Sequence, residues 1–125
     1  MDINDLADTL VRDIPTAALA LAELREDWGG MAPDTVVLSM VGKAYARAAH
    51  GLASGVKEEF FAHVEAALAG PYQSVSDAVA TGLLEAIISQ VERDGADREA
   101  IFDLHAGPES KRYVKAWDEF SNTPR

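Results

Sequence analysis

The run Asp34-Thr35-Val36-Val37-Leu38-Ser39-Met40-Val41-Gly42-Lys43-Ala44-Tyr45-Ala46-Arg47-Ala48 decides the fold class. It opens on Thr35-Val36-Val37-Leu38, the one β-branched run in the chain and the only sequence with strand character. That run flows straight into a helical pattern. Val37, Met40, Val41, Ala44, Tyr45, Ala48 and Leu52 recur at steps of three and four, the spacing of one helix face. The segment is apolar around much of its circumference, which marks the central helix of a bundle. Asp34, after Pro33, stands where an N-cap belongs. With the strand signal absorbed, the chain reads as all-α.

The flanking sequence repeats the same grammar. Ile3, Leu6, Leu10 and Val11 predict a first helix ended or kinked by Pro15. Thr16 to Trp28 predicts a second, with Leu21, Leu24 and Trp28 on one face and Gly29-Gly30 as its stop. Val56, Phe60, Val64 and Leu68 step by four, with Phe61 beside them, and Gly70-Pro71 closes that fourth segment. Val75, Val79, Leu83, Ile87 and Val91 carry a fifth from about Ser74 or Ser76, either of which would cap it, to Arg93. A short sixth, about Asp97 to Leu104, points Ile101 and Leu104 inward. A seventh follows Gly107-Pro108 to about Phe120, with Tyr113, Ala116, Trp117 and Phe120 as its inner stripe. Residues 121–125 are expected to fray. The expectation is one compact domain, residues 1–125, of six to seven helices packed as an antiparallel bundle or an α-α stack.

Composition narrows the function classes. A chain of 125 residues builds one hydrophobic core without a disulfide or metal to staple it. The absence of cysteine removes disulfides, thiolate metal sites and cysteine nucleophiles, and suits a cytoplasmic protein. No apolar run reaches the roughly 18 residues of a membrane span. A net charge of −10 makes nucleic acid and anionic membranes poor partners and a basic protein a natural one.

Chemistry finds little support. Glu59 and His63 share a helix face at i, i+4, but a metal needs a further ligand that no ExxH or HExxH pair supplies, so an exposed ion pair is expected and no metal or cofactor. Ser110 and His105 pair only on paper. No phosphate loop, nucleotide fingerprint or nucleophile elbow occurs, and the expected protein is not an enzyme.

The acids are unevenly spread. Residues 1–30 hold seven acids against two bases, and residues 71–105 again seven against two. Candidate partner-binding residues are therefore Glu23, Glu26 and Asp27 before the Gly-Gly turn, and Glu92, Asp94, Asp97, Glu99 and Asp103 around the densest stretch. A structural reading stands beside the functional one. Asp97 caps the sixth segment, Glu99 suits its first turn, and Asp2, Asp5 and Asp8 form a solvated face. Among aromatics, Tyr113 and Trp117 read as core. Trp28 either anchors a partner or, more commonly, packs on the next helix, and Tyr72 is the exposed candidate.

Gly107-Pro108-Glu109-Ser110, then Tyr113, then Ala116-Trp117-Asp118-Glu119-Phe120, preceded by Ala80-Thr81-Gly82-Leu83-Leu84-Glu85 and by Glu58-Glu59-Phe60-Phe61, resembles a group of small all-helical bacterial proteins. Some of these are encoded beside polymorphic toxins and are taken to be their immunity proteins. The resemblance covers roughly the last two-thirds of the chain. It implies a helical domain that binds and neutralises a cognate toxin, plausibly a basic nuclease, and it carries over no catalytic residue. The rival expectation is a non-enzymatic helical adaptor or regulator, as a monomer or as a homodimer.

Overall fold

The helix that begins at Asp34 packs against most of the others, as its all-round apolarity requires. The computed structural model describes residues 2–122. Seven α-helices appear there: α1 (Ile3–Val11), α2 (Pro15–Asp27), α3 (Asp34–Ala48), α4 (Ser54–Ala69), α5 (Gln73–Ala78), α6 (Glu85–Asp94) and α7 (Pro108–Asn122). No strand occurs among the described residues. None of these helices is long and apolar enough to cross a membrane.

The ends of the helices follow local chemistry, with some departures from the sequence reading. Asp2, not yet helical, accepts the Asp5 N–H at 2.8 Å and caps α1. Pro15 opens α2 in its first turn, where the missing N–H costs no bond. Asp34 is the first helical residue of α3 rather than its cap, since Pro33 holds the capping position and offers no side-chain acceptor. Neither Ser74 nor Ser76 caps the fifth segment. Tyr72 precedes it without a side-chain bond, and Ser76 Oγ donates instead to the Leu68 carbonyl across the turn, at 3.2 Å. At the far end Gly95, with φ of +61°, ends α6, and Ala96 N–H reaches back to the Val91 carbonyl at 3.0 Å.

Two π-helical segments depart from the α-helical expectation. Val79–Leu84 joins α5 to α6 with helical backbone at both junctions, so residues 73–94 form one rod. Its inward residues are those predicted: Val79, Leu83, Ile87 and Val91 are buried and Val75 half-buried. The second, Glu99–Asp103, replaces the predicted sixth helix. Leu104 N–H bonds to the Glu99 carbonyl, five residues back, at 3.0 Å. This wider winding turns less per residue, so Ile101 and Phe102 point inward while Leu104 is carried out to 65% exposure.

The rod crosses α3 at near backbone contact. A Cβ on Gly42 would stand 2.6 Å from the Leu83 carbonyl oxygen, and one on Gly82 would stand 3.1 Å from the Leu38 Cβ. Ser39 Oγ bonds the Gly82 carbonyl at 3.3 Å in the same crossing. Beside it lies an aromatic core. Tyr45 stacks on Phe60 with ring centres 4.2 Å apart, meets Phe61 edge-on, and Phe61 in turn meets Phe102. The Tyr45 hydroxyl donates to the Ile101 carbonyl at 2.6 Å, and burial pushes its pKa up.

Most neighbours run antiparallel. Arg25 on α2 reaches Asn4 and Asp8 on α1, and Pro15 lies near Ala48 while Leu24 lies near Thr35. The rod instead runs parallel to α3: Gly82 meets Leu38, and Asp94 lies by Arg47 and His50. In α7 the inner face is Ser110, Tyr113, Val114 and Trp117, whereas Ala116 and Phe120 are exposed. That helix continues through Asn122, and the fraying expected for residues 123–125 lies outside the described residues.

Candidate functional site

The antiparallel α1–α2 hairpin and the course of α3 determine where the acids go. Because α2 ends beside the start of α3, Glu23, Glu26 and Asp27 stand at that end of the bundle, all exposed. Because α1 runs antiparallel to α2, Asp2 and Asp5 stand there as well, and Arg25 is held between Asp8 (2.6 Å) and the Asn4 carbonyl (3.2 Å). Asp34, the first residue of α3, adds another acid. Glu23, Glu26, Asp27 and Asp34 form no ion pair among the described residues.

The second acidic stretch lies at the other end of α3. A helix of 15 residues spans about 22 Å at 1.5 Å per residue, and that length separates Glu23–Asp27 from Asp94–Asp97. Glu92, Asp94, Asp97, Glu99 and Asp103 are all exposed there, but most are already used within the molecule. Asp94 accepts from Gln90 at 2.9 Å, and Asp97 accepts the Glu99 and Ala100 N–H groups as the cap that sequence suggested. Asp103 lies 3.9 Å from Arg98, whose guanidinium bonds Asp118 at 2.8 Å. That bond raises the Arg98 pKa, and Asp103 and Glu92 add to the field around it. Arg47, His50 and Lys57 share a cleft of about 410 Å³ with Asp94 and Asp97. Charge at this end is mixed.

The acidic end also carries exposed apolar residues. Trp28 is 47% exposed and Met31 83% exposed, on either side of Gly29-Gly30. Both glycines take left-handed backbone, with φ of +59° and +79°. Gly30 N–H bonds the Arg25 carbonyl at 2.8 Å and Met31 N–H the Trp28 carbonyl at 3.1 Å. The turn is thus tied back on α2, and it leaves about half of Trp28 open to solvent. Tyr72, 63% exposed, follows α4, which is antiparallel to α1 and therefore ends at this same end. The sequence reading isolated Trp28, Tyr72 and Glu23–Asp27 without joining them, and it missed Met31 and Asp34. The signal for Met31 was a large apolar residue inside a Gly-Gly-to-Pro turn, where no helix face could bury it.

Ser110 and His63, two of the other chemistry-bearing residues, have partners within the fold, whereas the buried His105 Nδ1 has no hydrogen-bond partner among the described residues. Ser110 Oγ donates to Glu65 at 2.8 Å, not to His105. His63 Nε2 lies 3.8 Å from Glu59 in an exposed pair. Among the described residues no three His, Asp or Glu side chains gather as a metal site would need. Compared with known proteins, the chain matches no family model, no curated sequence and no solved structure.

Proposed function

We propose that this chain is a binding protein that neutralises a basic partner protein, as an immunity protein does its cognate toxin. The observation that carries the reading is the hydrogen-bonded Trp28-Gly29-Gly30-Met31 turn, which presents two large apolar side chains amid Glu23, Glu26, Asp27 and Asp34. Tryptophan is prominent among residues that anchor interfaces, and a ring of acids speeds encounter with a basic surface while disfavouring wrong partners. The toxin identity rests on the resemblance of the C-terminal helices, and a basic nuclease fits because its cleft attracts anions. A cytoplasmic setting agrees with a chain that has no cysteine to oxidise. A homodimer through this end would set acid against acid, which favours a different partner over a second copy.

The test is capture with tagged protein at low and then moderate salt, followed by expression of the captured protein alone and together with this chain. The reading expects a stoichiometric basic partner that is toxic alone and tolerated in the pair. It also expects Glu26→Lys with Asp27→Lys to weaken protection. Capture of only this chain itself, or protection indifferent to those reversals, would count for the adaptor or homodimer reading instead.

A further inference from the structure

At the end of the bundle that carries the Trp28 turn, α1, α4 and α5 enclose a groove of about 260 Å³. Leu6, Ala67 and Val75 line it, with Pro71, Tyr72 and His63 among its remaining walls. Its surface is almost wholly apolar, and no lysine or arginine lines it. The charged residues nearest its walls along the chain are acidic: Asp2 and Asp5 lie within one turn of Leu6 on α1, and Glu59 accompanies His63. In addition, α4 ends here with no basic residue in its last turn, so the negative pole of its backbone dipole faces the groove without a side-chain counterion.

We propose that this groove seats an apolar side chain of a basic partner segment, with flanking lysine or arginine held by the acidic rim and by the face of Tyr72. The volume suits one large aliphatic or aromatic side chain, and a cation over an exposed tyrosine ring gains cation–π attraction. An acidic segment would meet the like charge of Asp2 and Asp5, and an anionic lipid surface would be repelled in the same way. The inference rests on the reading of this chain as a binder of a basic protein, and it names the part of that partner which docks.

The experiment is an amide NMR titration of the whole chain with three probes: acetyl-Lys-Lys-Leu-Lys-Lys-amide, the same peptide with glycine for leucine, and the same peptide with glutamates for lysines. The leucine peptide is expected to give saturable shifts at Leu6, Ala67, Tyr72 and Val75. The glycine peptide should bind at least fivefold more weakly and the glutamate peptide should leave these signals unmoved. Tyr72→Ala should weaken the leucine peptide at least threefold. Ala66→Leu, which fills the groove from an exposed helical position, should block it with the thermal midpoint unchanged. Equal binding of leucine and glycine peptides, or shifts confined to other surfaces, would overturn the proposal. If the peptides miss the groove while partner capture still depends on Glu26 and Asp27, the groove falls and the function stands. If the groove saturates while no basic partner is captured, the function falls and the groove stands.

Discussion

Glu65, about one turn before the end of α4, is the cap of α7: its Oε2 accepts the Ser110 hydroxyl at 2.8 Å and the Ser110 N–H at 3.1 Å, while Oε1 accepts the Glu109 N–H at 2.6 Å. The first turn of a helix has N–H groups with no partner inside the helix, and a carboxylate there also meets the positive pole of the backbone dipole. The contact gives Gly107-Pro108-Glu109-Ser110 its physical meaning. A Cβ on Gly107 would collide with the Glu65 side chain. Pro108 gives up an N–H that needed no partner. Ser110 is buried and spends its hydroxyl on the same carboxylate.

Removing that carboxylate should therefore loosen α7 as a unit. Glu65→Ala is expected to cost about 3 kcal/mol, since hydrogen bonds to a charged group are lost and the buried Ser110 hydroxyl is left unpaired. Glu65→Gln keeps an acceptor and should cost clearly less. The double variant Glu65→Ala, Ser110→Ala should cost less than the sum of the single ones. Urea denaturation of the four proteins decides it, and strict additivity would mean that the contact does not couple the two helices.

Two helical glycines, Gly42 in the crossing of α3 with the rod and Gly55 in α4, should respond to alanine with opposite signs. At Gly42 an added methyl meets the Leu83 carbonyl oxygen, a backbone atom with no rotamer to escape through. Overpacking of this kind costs about 1–3 kcal/mol, more than the roughly 1 kcal/mol of helix propensity that alanine returns. Gly42→Ala should lower the thermal midpoint. Gly55, in the first turn of α4, has nothing within 4 Å of such a methyl, so Gly55→Ala should raise it. Calorimetry on both variants reads the two signs directly.

How much of this was legible in the sequence depends on the range of the interaction. The periodicity placed Ile3, Leu6, Leu10, Tyr45, Phe60, Val64, Ile87 and Val91 in the core, where all of them lie, because a helix face is defined by residues a few positions apart. Asp97 as a cap was legible for the same reason. Leu104 and Phe120 were assigned inward by an α-helical count, but both are exposed. For Leu104 the reason is the i→i+5 winding, which nothing in residues 99–103 announces. The acidic end was illegible because its members are contributed by α1, α2, α3 and the α4–α5 turn. Only the antiparallel α1–α2 hairpin, fixed by Arg25 between Asn4 and Asp8, brings Asp2 and Asp5 to the level of Asp27.

Tyr45 predicts a loss of stability in alkali. Burial raises its pKa above the ordinary value near 10, and burial with the nearby Glu85 does the same, less strongly, for Tyr113. A group whose folded pKa lies above its unfolded one contributes full stability below the unfolded value. That contribution is lost as pH rises toward the folded one, because only the unfolded chain then releases the proton. Above about pH 10 the wild-type chain should lose up to about 1.4 kcal/mol per pH unit through Tyr45 alone. Tyr45→Phe should be less stable at pH 8, where it leaves the Ile101 carbonyl without its donor, yet decline less steeply between pH 10 and 11. Parallel slopes in urea melts at the two pH values would show that Tyr45 is not the group responsible.

The two ends of α3 should respond differently to charge reversal. At the acidic end Glu26 and Asp27 form no ion pair among the described residues and directly precede Trp28, and Arg25, the base beside them, is already paired with Asp8. At the other end Glu92 acts on Arg98, Glu99 directly follows that arginine, and Arg47, His50 and Lys57 share a cleft with Asp94 and Asp97. Electrostatic steering acts mainly on the association rate and fades with salt. Against the captured basic partner, Glu26→Lys with Asp27→Lys should slow association about tenfold or more at low salt, with the difference shrinking at moderate salt. Glu92→Lys with Glu99→Lys, an equal change in net charge, should slow it only about twofold. Trp28→Ala should instead speed dissociation and leave the association rate nearly unchanged, as an anchor in a desolvated contact would. Stopped-flow rates at two salt concentrations separate these cases. Equal slowing by the two charge reversals would mean that the partner senses net charge alone, and that the end bearing Trp28 has no special part in the encounter.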